Sequence, residues 1–441
     1  AMVFDAFDLS QKYPIITILR PSVRVDHCRQ DVDLNEVIKL DREIRFEKDP
    51  ARWVCLPASV RINHPKLNQK NDEIREDFET KYSKYNYEVP AKGRAKLGII
   101  ASGVSFSIVV DILKAMGRDD VSVLKIGTPV PLPIKMVSDF IDRHSNVLVL
   151  EETYPVVEMQ LLDRTKVKGR WNGYVPRAGE LLPEVIEEII LKSLGEEKQI
   201  GADSDLKAAL EDLKITPRKP MLCPGCPHRA SVFAIRQAIP SAINPSDIGC
   251  YTLSVNQKGA DAVMDMGASV TMASGLYLAH KVAGKEQPIV STIGDSTFFH
   301  MGIPGLVSAV YNKHAFVLCI LDNRTTAMTG AQSNPSVGEK LRKGDEGRVV
   351  EIDSVVSGCG VNYVKTLEAY DVEEGKKLVK DAWEYAKAHQ EPAVLIFKHP
   401  CMLLREKQDK IPMKVDPEKC IGCKFCIKFF NCPGLVFDEA G

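Results

Sequence analysis

The chain has 441 residues, with 58 Lys and Arg against 59 Asp and Glu, a formal net charge of −1, 44% hydrophobic residues and 27% charged ones. That balance leaves no basic footprint for nucleic acid or for a membrane surface, and the best apolar run, residues 97–113, is broken by Ser102, Ser105, Ser107 and Asp111 before it can span a bilayer. The start carries no secretory pattern, and five of the 12 cysteines stand in C-x-x-C spacings, which predicts a cytoplasmic, reducing setting with thiols used for metal rather than disulfides.

Residues 4–12 have helical spacing and 15–19 read as a strand, with no capping signal ahead of them, as at the end of a domain (1–22). Residues 23–94 are charged and weakly periodic and read as a connector, with one exposed helix over 67–84. The isolated Cys28 and Cys55 are expected to be packed thiols. From 95 to 200 the pattern sharpens. Strands at 96–101, 121–126 and 147–151 alternate with helices at 105–116 and 134–143, a βαβαβ succession that predicts a parallel sheet with helices on its faces. The stretch GIIASG, residues 98–103, lacks the G-x-G-x-x-G spacing of a dinucleotide site. Residues 201–220 read as a helix and linker ending at Pro217 and Pro220.

A second domain spans 221–402. Its centre is IVSTIGDSTFFHMGIPGLVSAVYNKHAFVLCILDN, residues 289–323. An apolar strand (289–293) ends in Gly294-Asp295-Ser296, a helix follows over 302–311, and a second strand (316–321) ends in Asp322-Asn323. Such a βαβ unit pairs its strands in parallel, and ligands bind at the carboxyl ends of such strands. Asp295 and Asn323 then offer two hard oxygens to one point, which suits Mg²⁺ beside phosphate oxygens. Ordinary surface turns are the plain alternative.

The same domain opens with MLCPGCPHRA, which puts Cys223 and Cys226 around a Pro-Gly turn where both thiolates can face one metal or cluster. A redox dithiol or chance spacing are the alternatives. Cys250 in SDIGCYTLS and Cys401 in FKHPCML each follow a short apolar segment and can reach the carboxyl end of the same sheet, which would complete a four-thiolate site. Cys319 in mid-strand and Cys359 read as structural. In the tail (403–441), CIGCKFCIKFFNCPG carries Cys420, Cys423 and Cys426, then Cys432-Pro433. This is the bacterial ferredoxin pattern for a [4Fe–4S] cluster, except that five residues rather than three precede the last cysteine. A zinc knuckle is the alternative.

The motifs MLCPGCPHRA, DIGCYTL, DMGASVTMASGLYLA, IGDSTFFHMGIPGL, LDNRTTAMTGAQ and CIGCKFCIKFFNCP, in that order and over essentially the whole chain, resemble the large (α) subunit of indolepyruvate:ferredoxin oxidoreductase, one of the 2-oxoacid:ferredoxin oxidoreductases. The resemblance implies an α/β fold of parallel-sheet domains: a transketolase C-terminal-like domain, a thiamine diphosphate-binding domain and a partial ferredoxin-like Fe–S module. It implies Mg²⁺ held by Asp295, Asn323 and the Thr325 carbonyl, with Gly294, Ser296 and the turn amides near Gly267 at the cofactor. Ser296 stands where thiamine enzymes in general have Gly. It implies one [4Fe–4S] cluster on Cys223, Cys226, Cys250 and Cys401 and another at Cys420, Cys423, Cys426 and Cys432.

It further implies oxidative decarboxylation of aryl 2-oxo acids to acyl-coenzyme A with reduction of ferredoxin, a smaller β subunit as partner, and hence a hetero-oligomer. An activating glutamate is expected from a pyrimidine-binding domain ahead of residue 1, and further cluster ligands beyond residue 441. His228 is placed to reach substrate or cofactor or else to brace its loop. His300 is similar, and Met266 and Met272 pack on the cofactor or in the core. Two other classes stand beside this one. A non-oxidative thiamine decarboxylase or carboligase leaves the ferredoxin motif without a use. An electron-transfer subunit with a vestigial thiamine fold leaves the Asp295/Asn323 pair without one.

Overall fold

A computed structural model describes residues 2–33, 36, 46–152, 154–196, 212–213, 219–340, 344–404 and 414–437. The chain divides into two compact units, Ala1–Lys214 and Ile215–Gly441. The helix and linker expected over 201–220 lie almost wholly outside the described residues.

In the first unit, helix α1 (Met2–Lys12) packs on α2 (Pro57–Glu79). Leu9, Tyr13, Ile74 and Phe78 form a small core, and the buried Asp77 ties the pair by accepting from Tyr13 Oη at 2.7 Å and pairing with Lys12 and Lys81. The helix expected over 67–84 thus begins ten residues earlier, because Pro57 at the first helical position suits a start there. The strand expected over 15–19 does not form: Ile16 and Ile18 are 89% and 82% exposed, and no neighbouring strand among the described residues takes their backbone groups. Cys28 and Cys55 are exposed rather than packed, since the short helical turns around them bury no side chain.

The sheet of this unit contains β1 (Asn86–Val89), β2 (Leu97–Ser102), β3 (Val121–Ile126), β4 (Val147–Leu150) and β5 (Val167–Lys168), in the order β1-β3-β2-β4-β5. Helices α3 (Val104–Ala115), α4 (Ile134–Arg143) and α5 (Pro183–Leu194) accompany it. All pairs are parallel except β1 with β3, so the end of the expected connector is an edge strand. The inner strands are nearly continuous apolar runs because both sheet faces are covered. Ile99 and Leu148 point into one core cluster, Ile100 and Val149 into another, as the two-residue period of a strand requires.

The second unit holds α6 (Pro227–Ala238), β6 (Pro245–Ser246), β7 (Ala262–Val263), α7 (Ala268–Val282), β8 (Val290–Gly294), α8 (Ile303–Tyr311), β9 (Val317–Asp322), α9 (Ile352–Gly358), β10 (Tyr363–Glu368), α10 (Val372–His389) and β11 (Ala393–Lys398). The six strands run in the order β10-β11-β9-β8-β6-β7, all parallel. Along β9, Val317, Cys319 and Leu321 enter one core and Phe316, Leu318 and Ile320 the other. Cys319 is therefore a structural thiol at the centre of the sheet. No helix among the described residues is long and apolar enough to cross a membrane.

Candidate active site

Register alone assembles the site. Gly294 on β8 pairs with Leu321 on β9, and Asp322 pairs with Lys398 on β11. One step past Gly294 is Asp295, level with Asp322. Beyond Lys398 the chain turns so that His399 N donates to Asp322 O and Cys401 N donates to Asn323 O, both at 3.0 Å. On the other side Ser246 of β6 pairs with Thr292, and Asp247 and Cys250 follow. Four parallel strands thus deliver their polar ends to one edge, where ligands bind in such sheets.

The Gly294-Asp295-Ser296 stretch is not an open turn. A helical turn over Asp295–Thr297 starts immediately, continues as a π-helix (Phe298–Gly302) and runs into α8. Asp295 is buried. Its Oδ1 accepts from Ser296 N at 2.8 Å and its Oδ2 from Asn334 Nδ2 at 3.0 Å. Asp322 is buried beside it and accepts from Arg324 N at 3.1 Å. Burial first, then the Asp322 carboxylate, push Asp295 up to about 7. Neither carboxylate forms an ion pair among the described residues. Two buried, uncompensated carboxylates fit a divalent cation, because the cost of burying them falls when such a charge sits between them.

Asn323 Oδ1 accepts from Thr325 N at 3.3 Å, and Arg324 between them takes the left-handed φ of +61° that folds this turn back. Asn323 Nδ2 donates to His228 Nε2 at 3.1 Å. Burial pushes His228 down to about 4, so the ring is neutral and its proton sits on Nδ1. The ring also meets Tyr251 edge-on, centroids 5.7 Å apart. Tyr251 packs against Gly294, where an added Cβ would stand 2.7 Å from the ring. His228, Cys250, Asp295, Ser296, Asn323 and Thr325 line one cleft with a cavity of about 60 Å³, and the half-exposed Met266 lies on its wall. His300 is exposed and is not among the lining residues.

Gly267 has φ +92°, and its N–H donates to Asp247 Oδ1 at 2.7 Å. That one amide is committed to a carboxylate. Asp247 is wholly buried and its Oδ2 has no hydrogen-bond partner.

Cys226 stands at the N-cap position of α6, where its carbonyl accepts from Arg229 N at 3.1 Å and its thiol makes no capping hydrogen bond. Burial pushes its thiol up to about 11, with Cys223 and Cys250 adding to the effect. Burial raises Cys250 too, followed by the nearby Cys401 and Cys223. Met402, next to Cys401, packs 3.6 Å from where a Gly225 Cβ would stand. The structure therefore brings Cys223, Cys226, Cys250 and Cys401 into one neighbourhood, although no three Cys, His, Asp or Glu form a ready metal-binding arrangement among the described residues. Four free thiols in one neighbourhood, one of them at a helix N-cap, are a donor set that fits an iron–sulfur cluster.

In the tail Cys420, Cys423 and Cys426 are exposed and Cys432 is partly covered. Asp322, Asn334 and Asp247 were not anticipated as site residues. For Asp322 the signal was available in its place beside Asn323 at a strand end. Asn334 lies eleven residues further on in a loop, where no local pattern marks it.

Residues 247–397 match the family model of the thiamine pyrophosphate enzyme, C-terminal TPP binding domain. The chain is 38% identical over 462 aligned positions to the indolepyruvate oxidoreductase subunit IorA of Thermococcus kodakarensis, covering 98% of this chain and 70% of that one. It is 37% identical to the protein of the same name from Pyrococcus horikoshii (99% and 70%) and 38% identical to that of Methanothermobacter thermautotrophicus (98% and 70%). With the parallel sheet and its polar edge in place, these likenesses put the chain in the indolepyruvate oxidoreductase subunit IorA family of oxidoreductases, with a thiamine pyrophosphate-binding domain in its second unit.

Proposed function

We propose that the protein is the thiamine diphosphate- and Mg²⁺-binding subunit of an enzyme that oxidatively decarboxylates 2-oxo acids of the indolepyruvate class. Acyl-coenzyme A and reduced ferredoxin are the products, and [4Fe–4S] clusters held by this chain's cysteines would supply the one-electron chemistry. The observation that carries this reading is that Asp295, Asn323, Thr325 and Cys250 line one cleft. A diphosphate anchor and an electron acceptor then share a single space.

Asp295, the Asn323 amide oxygen and the Thr325 carbonyl hold Mg²⁺, and Asp322 adds a second negative charge beside it. His228 restrains the Asn323 amide through Nδ2, and the oxygen, which accepts from Thr325 N, keeps a second lone pair for the metal. Ser296 lies in the cleft beside the anchor, and the burial of Asp295, Asn323 and His228 keeps water from this end. When bound, thiamine diphosphate supplies the electron sink for carbon–carbon cleavage and the clusters accept electrons singly. Cys223, Cys226, Cys250 and Cys401 hold the cluster near the cleft. Cys420, Cys423, Cys426 and Cys432 hold the ferredoxin-type one. The relatives are named as one subunit of an enzyme, which supports a partner subunit and a hetero-oligomer.

The test uses the full-length subunit with its partner, prepared anaerobically. A viologen dye should be reduced only when an aryl 2-oxo acid and coenzyme A are both present, with thiamine diphosphate bound. Aldehyde release without dye reduction would instead place the protein among non-oxidative decarboxylases.

A further inference from the structure

Arg229 stands on α6, three residues after Cys226, and is 2% exposed. Burying a guanidinium is expensive unless an anion accompanies it. Arg229 has no carboxylate partner among the described residues. Its head is spent on three backbone carbonyls instead. Nη1 donates to Phe430 O at 2.9 Å and Asn431 O at 2.5 Å, Nη2 donates to Leu222 O, and Nε is buried without a partner. Carbonyl dipoles satisfy part of the guanidinium's hydrogen bonding but do not neutralise its charge.

Those carbonyls come from two places. Leu222 directly precedes Cys223, and Asn431 directly precedes Cys432. Burial works against the charge on this guanidinium, and Cys432, then Cys226 and Cys223, are the neighbours that oppose that effect. The two segments are also packed together: a Cβ added at Gly434 would stand 3.5 Å from Pro224 Cβ and 3.8 Å from Cys432 Sγ. Gln257 Nε2 gives Phe430 O a second donor at 2.9 Å. A lone buried cation thus lies between one cysteine of the terminal set and two of the set beside the cleft.

We infer that Arg229 is a positioning residue that joins the two cysteine sites, holding the 430–432 turn against the Cys223–Cys226 loop and offsetting the negative charge of thiolate-bound clusters there. The inference rests on the cluster reading of these cysteines. A fixed positive charge favours the more negative, reduced state of a cluster, so removing it lowers the reduction potential. The backbone clamp and the charge are separable, because Lys keeps the charge but lacks the planar fork that spans two carbonyls.

The test compares the full-length subunit, loaded with iron and sulfide anaerobically, with its R229M and R229K variants. Readouts are iron content, a redox titration followed by electron paramagnetic resonance, and amide exchange at residues 430–432. With iron retained, R229M should make reduction of at least one cluster less favourable by about tenfold, about 59 mV for one electron. R229K should stay near the wild-type potential, and exchange at 430–432 should accelerate in both variants. An unchanged potential in R229M, or an equal drop in R229K, overturns the charge role. Unchanged exchange overturns the clamp. A wild-type protein that takes up no iron overturns the cluster reading and the charge role with it, whereas exchange in the iron-free proteins still decides the clamp.

Discussion

His228 Nε2 accepts a hydrogen bond from Asn323 Nδ2 at 3.1 Å, across 95 residues of chain and at the base of the cleft. The neutral ring has no proton on that nitrogen to give. Its contact is with the proposed metal ligand, which makes His228 a residue that aims Asn323. His228→Ala should therefore weaken Mg²⁺-thiamine diphosphate binding by about tenfold, the worth of one buried hydrogen bond and its orphaned partner, with turnover recovered at saturating cofactor. Calorimetric titration checks the first and steady-state kinetics the second. A fall in kcat with cofactor affinity intact would make the histidine catalytic.

The Asp295–Asp322 pair predicts a pH signature. Asp295 is held at about 7 against an ordinary 3.8, by burial and then by Asp322. Between those values the folded protein keeps a proton that the unfolded chain has released, so metal-free stability falls as pH rises from about 4 to about 7. Mg²⁺ displaces that proton, so its affinity should climb over the same window, approaching about tenfold per pH unit below 7, and level off above it. Thermal unfolding with and without Mg²⁺, from about pH 5.5 to about pH 8, checks both slopes; a Mg²⁺ effect independent of pH would remove Asp295 from the metal site.

Gly267 and Gly275 should respond oppositely to alanine. At Gly267 a Cβ would stand 2.5 Å from Met301 Cβ on a backbone with φ +92°, so Gly267→Ala should cost about 2–4 kcal/mol. At Gly275, inside α7, nothing lies within 4 Å of the added methyl, and Gly275→Ala should be neutral or gain up to about 1 kcal/mol. Urea unfolding of the two variants separates them.

Phe233 on α6 meets Phe425, Phe429 and Phe430 edge-on at 6.1, 6.2 and 5.4 Å. This aromatic nest docks the terminal cysteine segment. Phe233→Ala should loosen the segment by about 2 kcal/mol, seen as faster proteolysis or amide exchange over 414–437 with the cleft residues unchanged. Equal protection in both proteins would show that Arg229 and Gln257 suffice to hold it.

Much of this protein is written locally. The apolar runs of β2, β3, β4, β8 and β9 and the helices between them follow from period and punctuation, because strands covered on both faces are built almost wholly from apolar side chains. The parallel pairing of β8 with β9, and so the nearness of Asp295 to Asn323, followed from the short helical crossover between them. The strand expected over 15–19 failed for a complementary reason: apolar spacing specifies a strand only where another strand supplies hydrogen bonds.

Tertiary structure decided what depends on groups distant in sequence. The Asp322 carboxylate beside Asp295 comes from the register between strands, the Asn334 bond to Asp295 from a loop, and the commitment of Gly267's amide from Asp247 just past the end of β6. The sequence by itself determined which residues could ligate a metal, a phosphate or a cluster, because side-chain chemistry is local. Which of them converge, and which buried charges such as Arg229 are left facing the cysteines, only the packing of distant segments settled, because burial and electrostatic compensation are properties of the assembled fold.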